Sequence, residues 1–149
     1  MLEFVTFLLA PIGYAGLTLA ALKAARGAVP VILLRSVAVV ILSHVILVWV
    51  VRYEGQVSEA TRNGYVGFVL FHVTLLAIVA SVFVGERLAR RLIVVAFGLV
   101  TIGAIGAVFR YDAVSRYRIP VIVLAVVGIA GLARAYRLRR SAARSGASP

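Results

Sequence analysis

The chain contains no cysteine. Disulfides, thiolate metal sites, iron–sulfur clusters and thioether-linked haem are thereby excluded. Acids are nearly as scarce, with five in 149 residues, at Glu3, Glu54, Glu59, Glu86 and Asp112. Neither an acid nor a lysine falls in the middle of an apolar run. Proton relays and cation-coupled transport commonly use a carboxylate buried in the membrane, so both readings lose their usual instrument. Glu54, Glu59 and Asp112 read as solvated loop charges. The sequence also lacks a Ser–His–Asp set, paired catalytic carboxylates and a phosphate-binding glycine loop, so no catalytic residue is assigned.

Charge as a whole is low. Charged residues make up 14% of the chain and hydrophobic ones 63%, where a soluble domain carries about 25% and about 45–50%. That apolar excess needs a bilayer. Sixteen basic residues give a net charge of +11, which raises the question of nucleic acid. The basic residues fall between apolar runs and in the tail, not on a polar face interleaved with aromatics. Nucleic-acid binding is not expected, and membrane topology accounts for the placement.

Five apolar runs approach the roughly 20 residues that cross about 30 Å of hydrocarbon. They are 2–22, 31–51, 65–84, 92–109 and 119–136. The last is the shortest free of charge, with Arg118 and Arg134 placed to snorkel to the two interfaces. The first carries its charges after the apolar stretch, at Lys23 and Arg26. This is the reverse of a cleaved signal peptide, so it reads as a retained span. The expected fold is therefore all-α, a five-helix polytopic bundle over residues 1–138. A basic tail, 139–149, is expected to be disordered.

Five spans place Lys23, Arg26, Arg87, Arg90, Arg91, Arg134, Arg137, Arg139, Arg140 and Arg144 on one side. Arg52, Arg62, Arg110, Arg116 and Arg118 fall on the other, and Arg35 snorkels toward the first. The positive-inside rule then puts the N-terminus outside and the C-terminus in the cytoplasm of a cell-membrane, multi-pass protein. Four spans would leave the basic tail outside. Trp49, Tyr53, Tyr65, Tyr111 and Tyr117 gather near the outer interface as an aromatic belt. The small-residue pairs Gly16/Ala20 and Gly103/Ala107 suit close helix packing within the bundle.

Two histidines remain, His44 and His72, one in the second run and one in the third. They are symmetric about Ser58, so an antiparallel hairpin sets both imidazoles at one depth, about 10 Å below the outer surface at about 1.5 Å per residue. A shared ligand requires such a match. Two neutral imidazoles on facing helices can be the axial ligands of haem b. Phe68, Phe71 and Leu75 would then lie on the macrocycle, and Arg52, Tyr53, Arg62 and Tyr65 at the propionate rim. A bare metal site lacks a visible third ligand. The plainer reading, and the one favoured, is a hydrogen bond between helices, with Ser43, Thr74 or the other histidine as partner.

The expected function is that of a small non-catalytic membrane protein, a subunit of a larger assembly. Its partners would be the bilayer and either another protein or further copies of itself. The first alternative is a haem-b electron carrier with His44 and His72 as ligands. The second is a small-solute transporter or channel acting as an oligomer.

Overall fold

Long uncharged runs of Leu, Ile, Val, Ala and Phe can pair all their backbone polar groups internally only as helices. The computed structural model describes residues 2–62 and 64–144, and no strand occurs among them. The elements are α1 (Leu2–Ala25), α2 (Val31–Leu47), α3 (Val57–Thr61), α4 (Tyr65–Phe83), α5 (Glu86–Arg110) and α6 (Arg118–Arg144). A π-helical turn, Val48–Arg52, extends α2, and a 3₁₀ segment, Asp112–Tyr117, precedes α6. Five of these helices are long and apolar enough to cross a membrane: all but the five-residue α3.

Glycine and proline set the ends. Gly27, at φ +99°, closes α1 in a Schellman turn, with Ala28 N–H donating to Lys23 O at 3.1 Å and Gly27 N–H to Ala24 O at 3.0 Å. Pro30 stands at the start of α2. Pro120 lies in the first turn of α6, where its missing N–H has no helical partner to lose. Pro11 sits inside α1, which continues through it from Leu2 to Ala25.

Two helices are longer than the apolar runs imply. α5 begins at Glu86, six residues before Leu92, because Glu-Arg-Leu-Ala-Arg-Arg is made of good helix formers with an acid at the positive end of the helix dipole. α6 continues through Arg139 and Ser141 to Arg144, so the first part of the expected tail is helical, again in residues rich in Ala and Arg. The expectation of disorder otherwise falls on 145–149, outside the described residues.

α1, α2, α4 and α5 form a closed four-helix ring in chain order, with α1 touching α5, and α6 lies in the groove between α1 and α5. Short connections make consecutive helices antiparallel. The centre is Phe97 of α5, fully buried and stacked on Tyr14 of α1, with centroids 6.1 Å apart. Close approach depends on glycine. A Cβ on Gly128 of α6 would come within 2.2 Å of the Phe97 ring, and one on Gly16 of α1 within 2.6 Å of Val37 on α2. A Cβ on Gly103 would stand 3.0 Å from Leu70 of α4. Gly16 and Gly103 thus serve packing inside the bundle.

The periphery is as apolar as the core. Ile32, Val66, Phe83 and Ile119 are 76–84% exposed, one from each of α2, α4 and α6 with Phe83 closing α4. Aqueous solvent disfavours such a surface, whereas hydrocarbon accepts it.

Candidate functional site

The two histidines lie on the seam where α2 packs against α4. His44 is part-buried, and its Nδ1 lies 2.7 Å from the backbone carbonyl of Thr6 on α1. His72 turns back on its own helix, its Nδ1 2.7 Å from the carbonyl of Phe68 one turn earlier. A carbonyl oxygen only accepts, so Nδ1–H donates in both cases. In a neutral ring the proton is then on Nδ1, and Nε2 keeps its lone pair. Among the described residues no group bonds either Nε2.

Aromatic rings surround this seam. Phe68 packs on His72 at 4.1 Å between centroids, the expected i, i+4 neighbour. Trp49, in the π-helical turn of α2, meets His72 edge-on at 6.1 Å and Phe68 at 6.2 Å. Phe71 touches both imidazoles, at 6.4 Å from His44 and 5.8 Å from His72. Trp49 packs over these α4 residues from within the π-turn, whose i→i+5 bonding shows in Tyr53 N–H donating to Val48 O at 3.1 Å.

Each residue singled out in the sequence has a definite place here. His44 and His72 share Phe71 as a neighbour and make no hydrogen bond to each other. Neither bonds Ser43 or Thr74; the Thr74 hydroxyl donates to Leu70 O within its own helix. The carbonyl of Thr6 on α1, the actual partner of His44, carries no side-chain signal and was open to discovery only from the helix arrangement. Tyr65, assigned to a propionate rim, is 71% exposed, and Arg62 pairs with Glu59 at 3.2 Å. Arg52 lies 3.8 Å from Glu3, tying the end of α2 to the start of α1. Tyr53, beyond the π-turn, stacks edge-on with Trp49 at 5.9 Å. Burial raises its hydroxyl pKa above the ordinary value; Tyr111 adds to the rise and Arg52 opposes it.

The two cavities of note lie elsewhere. One, of about 300 Å³, is bounded by Val29, Val31, Leu34, Val82, Glu86 and others at the end bearing the α1–α2 turn. The second, of about 440 Å³, is an open apolar groove between α4 and α5 around Tyr65, Val69 and Leu99. No three His, Asp or Glu residues gather to hold a metal ion among the described residues. Comparison with known proteins gives no match: no family model, no curated protein and no solved structure is significantly similar to the chain.

Proposed function

We propose that the chain is a multi-pass integral membrane protein, non-catalytic in itself, that serves as a subunit of a larger membrane assembly. Five apolar helices and an apolar periphery support the membrane setting. The orientation read from the basic residues, N-terminus outside and C-terminus in the cytoplasm, belongs to the same proposal.

The observation that carries the subunit reading is the state of the histidines. Each is oriented by its Nδ1 and keeps an Nε2 acceptor without a protein partner, in helices whose other side chains are almost all apolar. An acceptor left unpaired in hydrocarbon is unfavourable. A donor from a neighbouring chain would satisfy it. The full chain, isolated from its native membranes in mild detergent, should bring down a partner in stoichiometric amount, and His72→Ala should weaken that association. Migration of the wild-type chain alone as a monomer would count against the proposal.

A haem-b carrier is the second reading, and the same two nitrogens favour it. Metal-bound histidine usually donates its other N–H to a carbonyl or carboxylate, as both do here. Against it, Phe71 fills space against both rings, and neither cavity borders them. Purified protein from haem-replete cells with a Soret band, lost in both His44→Ala and His72→Ala, would decide for haem. Colourless protein that has not lost haem during purification would decide against it.

A further inference from the structure

The end of the bundle bearing the α1–α2 turn holds most of the positive charge and one acid, Glu86. Two arginines converge there on a single point. Arg90 of α5 is half-buried and fixed in place, its Nη1 donating to Gly27 O at 2.8 Å. Arg139 reaches the same turn from α6. A Cβ placed on Gly27 would stand 3.5 Å from Nη2 of Arg139 and 3.9 Å from Nη1 of Arg90.

Like charges repel, so this convergence calls for an anion. No carboxylate pairs with either arginine among the described residues, and the ion pairs Arg52–Glu3 and Arg62–Glu59 both lie at the opposite end. Arg139 donates no hydrogen bond to the protein, and Arg90 has further N–H groups free beyond the one on Gly27. A guanidinium presents a planar fork of donors that matches the oxygens of a phosphate. Lys23 and Arg26 add positive potential from the same segment.

We propose that Arg90 and Arg139 form a phosphate-binding site over the α1–α2 turn, and that the phosphate is the headgroup of an anionic phospholipid. The lipid is favoured over free phosphate by a largely apolar cavity at the same end of the bundle. The cavity of about 300 Å³ lined by Val29, Val31, Leu34 and Val82 begins two residues from Gly27 and includes Ala89, next to Arg90. An acyl chain fits that lining as a phosphate fits the arginines. Glu86, also on the cavity wall, repels the phosphate and favours its seat toward Arg139. Basic pockets between helices at the cytoplasmic face of a membrane are suited to anionic headgroups. The proposal rests on the membrane reading above.

The test uses the full chain in nanodiscs of equimolar phosphatidylcholine and phosphatidylglycerol. The protein is released into neutral detergent, and retained lipid is counted by native mass spectrometry. Phosphatidylglycerol should be retained severalfold over phosphatidylcholine. Arg139→Gln, which breaks no bond within the protein, should abolish the preference, as should Arg90→Gln. Arg116→Gln, at the opposite end, should keep it. In a second arm, delipidated protein is titrated with inorganic phosphate and its thermal unfolding followed. Protection that Arg139→Gln removes, without lipid preference, would support the phosphate site and assign it to free phosphate. Equal retention of both lipids with no phosphate-dependent protection would overturn the proposal, as would full retention by Arg139→Gln. A chain that fails to enter nanodiscs overturns the membrane reading and this site with it. A chain that enters and shows neither a lipid preference nor phosphate-dependent protection overturns the site alone.

Discussion

Phe97 is held by three helices at once: it belongs to α5, stacks on Tyr14 of α1 and lies against the bare Cα of Gly128 on α6. Tyr14 is fixed in turn by Thr101. The Thr101 hydroxyl donates to Phe97 O at 2.7 Å, so the Tyr14 hydroxyl must be the donor in their 2.9 Å bond. A methyl at Gly128 has nowhere to go, because a fully buried ring cannot swing aside as a flexible chain end can. Gly128→Ala should therefore destabilise the bundle by about 1–3 kcal/mol, the usual range for overpacking. Gly98→Ala and Gly106→Ala add a methyl where nothing lies within 4 Å. They should be neutral or stabilising by up to about 1 kcal/mol, since alanine loses less backbone freedom in a helix. Unfolding in detergent, by heat or denaturant, distinguishes the two classes. None of this was legible in the sequence. Gly16 and Gly103 could be read as packing residues from their spacing to alanine, but Gly128 opposes Phe97 through helix rotation, which spacing does not set.

At the scale of the helices, the hydropathy pattern located the apolar segments to within a few residues, because length in hydrocarbon is a simple constraint. It missed the charged first turns of α5 and the last turns of α6, since turns rich in arginine carry no apolar signature. It also missed the π-turn at Val48–Arg52, where no glycine or proline marks the change of helix. The histidines show the same division. Their positions along α2 and α4 follow from the sequence, whereas their partners follow from rotation. His44 bonds α1, and His72 bonds only its own helix. His44→Leu should accordingly cost more stability than His72→Leu, by about 0.5–1 kcal/mol, the worth of an interhelical hydrogen bond in a membrane protein. Hydrogen exchange should show the difference as faster exchange in the first half of α1 for His44→Leu alone. Equal effects of the two substitutions would mean that the Thr6 bond contributes nothing.

For the whole molecule, charge and apolar surface are distributed along one axis. The end with the α1–α2 turn and the last turns of α6 carries the excess of arginine, the end with α3 carries the aromatic cluster, and apolar side chains cover the walls between them. This distribution is what the membrane account rests on. The absence of cysteine makes it directly testable, since a single introduced thiol is unique in the chain. Ser58→Cys places one in α3 and Ser141→Cys one near the end of α6, both at exposed positions. With a membrane-impermeant maleimide, intact cells should label Ser58→Cys, and Ser141→Cys should react only after the membrane is opened. Labelling of Ser141→Cys in intact cells, or recovery of the chain in the soluble fraction, would contradict the account.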